Sequence, residues 1–525
     1  MTNSKTLLPL LLMLFLAGGI LIGGKLNRST STEKNSVSSS KIQDIISKID
    51  QEYVDPIEKE KLMEETIDDM LHKLDPHSNY IPAKDLKAMN EQMSGKFGGV
   101  GIRFAIIRDT LCVTNVIANS PAFRSGLKSG DRIIAINGKA IAGNKVKTEE
   151  IMGKLKGDPG TPVKVTLYSL SKKKRTVSIV RDFIPLYSIV CAQMIDKQTG
   201  YIRLESFSET SEAEFKAAAK KLLGQGMKKL IFDLRDNPGG LLSAAIAISD
   251  EFLPGGCKIV SVKGKNPAQN QMARSSSGGL LESVKTVVLL NENSASASEI
   301  VAGALQDNDC ASIVGRRSFG KGLVQRDFQL KDQSNLRLTI ARYYTPSGRC
   351  IQRPFDDNFE DYIHDEIDRE KSGEYFHPDS SILKKAKKFY TRKGKIVYDG
   401  GGIMPDYFVP LDTSNSTTYY IALRYSSAFQ HIAFDFANVK RGKWNSIQQY
   451  NSNFNPDAAL IDKLVLYAEK NFDIKRRPAD LKRSYALIQR ALKAEIARQL
   501  FIEEGYFFVI TSSDKEFQKA KNLLN

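Results

Sequence analysis

The sequence predicts a multidomain chain arranged around an α/β core, and three patterns carry that expectation. Between residues 185 and 350, short apolar runs such as Lys229-Leu230-Ile231-Phe232-Asp233-Leu234 and Thr286 to Leu290 alternate with stretches of helical spacing. Apolar runs of that kind suit strands buried on both faces, and their alternation with helices suits α/β organisation. Ahead of the core, from Gly95 to about Val180, short strand-like runs punctuated by glycine turns replace that pattern. Helical periodicity dominates both flanks. At 525 residues the chain is too long for one core and is expected to hold about three to four domains at ~150 residues each.

Composition narrows the function classes. A hydrophobic content of 41% with 26% charged residues is ordinary for a folded soluble protein. The net charge of +16 raises the question of nucleic acid. However, the basic residues are spread in short clusters such as Lys172-Lys173-Lys174-Arg175 and Lys384-Lys385-Ala386-Lys387-Lys388, with no zinc-finger spacing or RNA-binding aromatic motif. Solvated surface charge is the preferred reading, and no nucleic-acid partner is expected. Cys112, Cys191, Cys257, Cys310 and Cys350 are far apart and form no C-x-x-C. Such a set is neither a disulfide framework nor a metal site.

Taken in order, the chain opens on the apolar run Leu7 to Ile22 behind Lys5. That length is near the lower limit for spanning a bilayer and also fits a secretory signal. An uncleaved signal anchor over residues 1–26 is preferred to a cleaved signal. The remainder is expected to be exported, to the periplasm or the extracytoplasmic face of the inner membrane. Residues 27–40, rich in Ser and Thr, read as a flexible tether. Residues 41–94 read as a helical region carrying stripes Ile42, Ile45, Ile46, Ile49 and Leu62, Ile67, Met70, Leu71, Leu74, which suit a small helical unit or a partner-binding helix pair. Pro76, in Leu74-Asp75-Pro76-His77-Ser78, ends it.

Residues 95–182 hold Gly98-Gly99-Val100-Gly101-Ile102, the strand-like Leu111 to Val116, Ser120-Pro121-Ala122, Gly126-Leu127 and Gly130-Asp131-Arg132-Ile133. Asn137-Gly138 then marks a tight turn, Glu149 to Leu155 a helix, and Val163 to Leu167 a last strand. This order resembles a PDZ domain. The resemblance implies that backbone N–H groups of Gly99-Val100-Gly101-Ile102 receive a peptide's terminal carboxylate while the peptide adds as a strand to the sheet edge.

Residues 183–410 form the expected α/β core. Asn237-Pro238-Gly239-Gly240, at a strand's carboxyl end, is either a turn with a close helix approach or a source of N–H groups for a reacting carbonyl. Residues 353–395, charged, aromatic and irregular, read as an insertion, and residues 411–525 as a helical C-terminal domain with no visible chemistry.

The stretch from Asn291 to Gln325 carries the candidate chemistry. Ser294, Ser296 and Ser298 alternate with alanines directly after Val287-Val288-Leu289-Leu290, where small side chains leave room for a substrate backbone. The residues alone do not choose among the three. His72, His77, His364, His377 and His431 all fall outside the alternating strands and helices of residues 185–350, which argues against a histidine base. Lys321, in Phe319-Gly320-Lys321-Gly322, has small neighbours that permit burial, and burial lets a lysine accept a proton. Composition alone favours a surface lysine in a glycine turn.

Ser294-Ala295-Ser296-Ala297-Ser298-Glu299-Ile300 and Phe319-Gly320-Lys321-Gly322-Leu323-Val324-Gln325, with Asp233-Leu234-Arg235-Asp236-Asn237-Pro238-Gly239-Gly240 and the preceding PDZ-like region, resemble the carboxy-terminal processing (tail-specific) serine proteases. The resemblance covers roughly Leu74 to Asp406. It implies Ser296 as nucleophile, Lys321 as general base and Gln325 as the residue orienting the lysine. It further implies an oxyanion hole from the N–H of Ala297 with that of Gly239 or Gly240. No metal or organic cofactor is called for, the substrates are proteins held by their C-terminal tails, and a homo-oligomer through the N-terminal helices is plausible. Asp236, beside the expected oxyanion turn, is expected to pair with Arg235. A membrane-anchored PDZ adaptor without proteolytic activity is the competing reading.

Overall fold

The stripe Ile42-Ile45-Ile46-Ile49 lies on α1 (Glu33–Glu52), the first element of the computed structural model, which describes residues 33–143, 146–355, 359–378 and 386–525. The expected signal anchor and the first part of the tether lie outside these residues. Among the described residues no helix is long and apolar enough to cross a membrane. The later part of the expected tether is helical instead, because propagating an existing helix adds one hydrogen bond per residue fixed. With α2 (Lys59–His72), α1 belongs largely to a first unit, residues 1–70; residues 71–525 form a second.

The second unit opens with β1 (Asn79–Ile81) and α3 (Ala83–Ser94), ended by Gly95 at φ 69°. β2 (Lys96–Gly99) enters the PDZ domain and β9 (Asp182–Pro185) leaves it, paired antiparallel at its base. Between them lie β3 (Ile102–Ile106), β4 (Leu111–Val116), α4 (Pro121–Arg124), β5 (Arg132–Ile136), β6 (Lys139–Ala140), α5 (Thr148–Leu155), β7 (Pro162–Tyr168) and β8 (Lys174–Val180). The sheet runs β3-β4-β5-β7-β8, with β6 on β5. β8 lies beyond the strand expected to be last. Only alternate positions face inward, Val177 opposite Val165 and Ile179 opposite Val163, with Thr176 and Ser178 between them, so its apolar pattern is too short to mark a strand in the sequence.

The core sheet has the order β10-β11-β12-β15-β16-β21. β10 (Ile189–Met194) is antiparallel to β11 (Thr199–Leu204); the other pairings are parallel. α6 (Ser211–Gly224), β12 (Lys229–Asp233), α7 (Leu242–Asp250), β13 (Lys258–Gly264), β14 (Gln271–Arg274), β15 (Lys285–Leu290), α8 (Ala297–Asp307) and β16 (Ala311–Gly315) follow in the chain. The helices α6, α7 and α8 bury Phe215, Ile248 and Val301 with Phe232 and Val288 of the sheet. A second, antiparallel sheet joins this core, formed by β1, β13, β14, β17 (Leu323–Gln329) and β18 (Asn335–Tyr344).

The segment expected to be an irregular insertion is more ordered than its composition implies. It contains α9 (Phe359–Lys371) and β19 (Lys388–Tyr390), which forms a hairpin with β20 (Ile396–Tyr398) just beyond it. Charge misled here, because a few of the charged residues are buried and paired: Arg369, and Arg317 from the core, both bind Glu374.

After β21 (Tyr407–Phe408) come α10 (Thr418–Tyr425), α11 (Ala428–Lys440), α12 (Ile447–Asn453), α13 (Ala458–Phe472), α14 (Pro478–Thr511, broken at Phe501 and Ile502) and α15 (Lys515–Leu524). Phe434 of α11 packs against Ala105, Ile107 and Cys112 of the PDZ sheet. His431 reaches the Ile106 carbonyl at 3.1 Å, and Arg108 pairs with Asp435 at 2.5 Å. At the other end α15 covers the second face of the core sheet, with Phe517, Ala520 and Leu524 against Tyr201, Ile231 and Leu289.

Candidate active site

β15 runs into α8 through a tight turn, and Ser296 is the helix N-cap, at φ 55° and ψ −112°. Positive φ in a non-glycine residue costs about 1–3 kcal/mol and persists only where neighbours enforce it. A Cβ on Gly239, itself at φ +102°, would lie 2.8 Å from Ser296 Cβ and 3.0 Å from the Ala297 nitrogen, so glycine alone permits this approach. The three serines separate by what they hold. Ser294 Oγ donates to the Leu234 carbonyl at 2.9 Å and Ser298 Oγ to the Asn237 carbonyl at 3.0 Å, both from fully buried positions. Ser296 is half-buried, and its hydroxyl donates to none of the described acceptors.

The flanking serines thereby fasten the turn from Arg235 to Gly240. Asn237 Oδ1 accepts the Gly239 N–H at 2.9 Å. Among the described residues the N–H groups of Ala297 and Gly240 have no protein acceptor, and Gly240 is exposed. Asp236 does not pair with Arg235, contrary to expectation. It binds Arg203 at 3.2 Å and accepts from Asn291 and Asn293 at 2.7 and 3.1 Å. Arg235 turns the other way, onto Asp233 at 2.7 Å, and onto Asp514 and Glu516 at the start of α15. Burial alone would raise the Asp233 pKa, but Arg235 and Arg203 hold it well below the ordinary carboxylate range.

Lys321 lies in the loop just before β17 and is largely buried. Burial first, then the nearby positive charge of Arg337, lowers its pKa to about 8. Its Nζ donates to Gln325 Oε1 at 2.8 Å. The Gln325 amide is fixed in turn by donating Nε2 to the His77 carbonyl, which leaves its oxygen facing the lysine. The His77 ring contacts Tyr362 at 2.9 Å; burial, then Lys321, lowers its pKa to about 3, so it is neutral at working pH.

Two side chains absent from the expected set hold the serine and lysine segments together. Glu299, fully buried, accepts the N–H of Ser296 at 2.8 Å and of Lys321 at 2.9 Å. It also accepts the Gly320 N–H at 2.7 Å and the Ser318 hydroxyl at 2.5 Å. Burial pushes its pKa up to about 7 despite those donors. Tyr343 donates its hydroxyl to the carbonyls of Ser296 at 3.1 Å and Lys321 at 2.6 Å. Glu299 has a sequence signal, the Ser-x-x-Glu spacing of a capping box. Tyr343 has none, because it reaches the site only through strand pairing.

Ser296, Ala297, Gly239, Gly240, Lys321 and Gln325 thus converge. Gly99, Val100, Gly101 and Ile102 lie elsewhere, at the junction of β2 and β3 in the PDZ domain. β3 is an edge strand, and Gly101 (φ +82°) passes so close to Ser120 that a Cβ would lie 2.2 Å from its Cβ.

Comparison with known proteins agrees with this architecture. Residues 198–360 match peptidase family S41 and residues 98–180 a PDZ domain. Residues 23–85 match the activating protease CtpB N-terminal domain, and residues 419–502 a family of unknown function, DUF8443. A carboxy-terminal-processing protease of Bartonella bacilliformis is 37% identical over 353 residues, covering 65% of this chain and 80% of that protein. The chain belongs to the carboxy-terminal processing proteases of family S41. Another member, the carboxy-terminal processing protease CtpA of Bacillus subtilis, is 34% identical over 65% of this chain and 72% of its own. The solved photosystem II D1 C-terminal processing protease is 24% identical over 68% of this chain and 84% of its own, with a TM-score of 0.35. The S41 match ends at residue 360, so Asp514 and Glu516, which bind Arg235 within it, lie outside the matched residues.

Proposed function

We propose that the protein cleaves polypeptides near their C-termini with Ser296 as nucleophile and Lys321 as general base. The observation that carries this reading is the shared support of Ser296 and Lys321 by Glu299 and Tyr343, around a half-buried hydroxyl and a lysine of lowered pKa. Neutral Lys321 removes the Ser296 proton as the hydroxyl oxygen attacks a peptide carbonyl. The resulting oxyanion is received by the N–H groups of Ala297 and Gly240; Gly239 acts by leaving space, since its own N–H is taken. Lys321 then gives its proton to the leaving amine, and water, deprotonated by the same lysine, hydrolyses the acyl-enzyme. Gln325 holds the amine between these steps.

The substrate's tail is captured in the PDZ domain, its carboxylate at Gly99 to Ile102 and its backbone along the edge of β3 ahead of Ile106, whose carbonyl His431 occupies. The apolar run Leu7 to Ile22 supports reading the enzyme as exported and anchored at the outer face of the inner membrane, and the apolar stripes of the N-terminal helices support reading them as a contact for a second copy.

Tail capture is tested with one unfolded polypeptide presented with a free or an amidated C-terminus. The free carboxylate should give the higher kcat/KM, by about tenfold, one well-placed charged hydrogen-bonding group. Equal rates for the two ends would contradict tail capture. Failure to cleave either, with binding of the free tail retained, would favour the adaptor reading.

A further inference from the structure

One groove beside the candidate site collects positive charge without neutralising it. It has a volume of about 840 Å³ and is lined by Leu323, Leu338, Ile340 and Tyr344 as an apolar floor, with Lys263, Lys265 and Arg342 among its polar groups. Strand pairing sets these charges. Lys263 of β13 and Leu323 of β17 both lie opposite Arg342 of β18. Lys263 and Arg342 are therefore cross-strand neighbours of the same sign, an arrangement that destabilises a sheet.

No compensation is at hand. Lys263, Lys265 and Arg342 are exposed, and none forms an ion pair with a carboxylate among the described residues. The carboxylate that lines the groove, Asp75, is occupied: it accepts the N–H groups of His77 and Ser78 and the hydroxyls of Ser78 and Thr339. Lys263 finds a partner in the Tyr344 ring, 5.1 Å from its centroid, which orients the ammonium without cancelling its charge.

The groove is continuous with the catalytic loop. Leu323 follows Lys321 by two residues, and Gln352 in its wall accepts the Gly322 N–H at 2.8 Å. Along β18, Tyr343 points inward to Ser296 while Arg342 and Tyr344 alternate onto the groove face.

We propose that this groove is an exosite for an acidic stretch of the polypeptide substrate, with Lys263, Lys265 and Arg342 receiving Asp or Glu side chains over the apolar floor. The inference rests on the proteolytic reading above and adds a substrate class to it. A polypeptide suits the groove because the floor is aliphatic and aromatic and lies within two residues of Lys321, so one chain can occupy both places.

The test compares two unfolded polypeptides with the same C-terminal tail, one carrying a run of Asp and Glu ahead of it and the other Asn and Gln. The full-length protein should favour the acidic chain by about tenfold in kcat/KM at low ionic strength, three exposed charge contacts acting together. That ratio should fall towards one in 0.5 M salt, since screening shortens the reach of exposed charges to roughly 4 Å. It should fall likewise in the Lys263→Gln, Lys265→Gln, Arg342→Gln triple variant. A parent without preference, or a triple variant that keeps it, would overturn the proposal. Fluorescence anisotropy of the two labelled chains on the full-length Ser296→Ala protein reads the groove without catalysis. Tighter binding of the acidic chain there, lost in the triple variant, upholds the exosite even if neither chain is cleaved. Equal binding overturns it. Displacement of the acidic chain by a single-stranded oligonucleotide at lower concentration than by unlabelled acidic chain also overturns it, in favour of a nucleic-acid surface.

Discussion

The N–H and C=O of Ser296 and of Lys321 are held by just two side chains, a buried carboxylate and a buried phenol. Movement of either segment therefore strains hydrogen bonds to the other, which fixes their separation more firmly than one direct contact would. The chemistry that this frame supports has a pH signature. Lys321 has its pKa lowered from 10.5 to about 8, so the ammonium dominates below that value and the neutral base above it. Cleavage should rise with pH through a midpoint of about 8, measured as kcat/KM for a tail peptide. A midpoint near an ordinary histidine would contradict the assignment. Because the unfolded chain binds this proton more tightly, stability gains from the same titration as pH rises between the two values. At this scale the sequence was half legible. Ser296 could not be told from Ser294 and Ser298 by residue type, since their difference lies in carbonyls contributed by Leu234 and Asn237 far earlier in the chain. Lys321 was legible as a lysine that could be buried, but its burial comes from neighbours such as His77, which pattern alone placed outside the core.

Among the elements, α15 changes the reading most. Its first turn places Glu516 between Arg235 and Arg316, and Asp514 beside Arg235 at 2.5 Å. Arg235 begins the turn that contains Gly239 and Gly240, so the last residues of the chain brace the candidate oxyanion site. Loss of Glu516 leaves Arg235 with Asp233 and Asp514, and Arg316 with Glu292, so it removes one shared charged hydrogen-bond partner from each, at a cost of about 1–3 kcal/mol. Glu516→Ala should therefore lower the unfolding temperature in calorimetry. It should also lower kcat more than KM, because the turn acts in the transition state. An unchanged kcat in a folded variant would remove α15 from the site. The helical character of the C-terminal region was plain from its periodicity, but its role was not, since Asp514 and Glu516 look like exposed acids until Arg235 and Arg316 are folded against them. β8 was obscured because its inward apolar positions are few, and α9 because a charged residue can be paired or solvated and only the fold decides which.

Across the whole molecule, the second unit is a relay of surfaces. The PDZ sheet rests on α11 through Phe434, His431 and Asp435, while α15 closes the far face of the S41 core. The alternating strands, the glycine turns of the PDZ domain and the flanking helices could all be read from period and composition. The docking of one domain on another could not, because it depends on complementary pairs such as Arg108 with Asp435, hundreds of residues apart. All of these surfaces bear on function only if the Ser296 hydroxyl and the Lys321 amine act together. The most direct measurement is the rate at which the full-length protein, Ser296→Ala and Lys321→Ala, purified in parallel, shorten an unfolded polypeptide from its free C-terminus, read by intact mass. Both variants should lose at least about 10³-fold in rate, as expected when either member of a nucleophile–base pair is removed, while still binding the tail. Cleavage by either folded variant at the parent's rate would contradict the account.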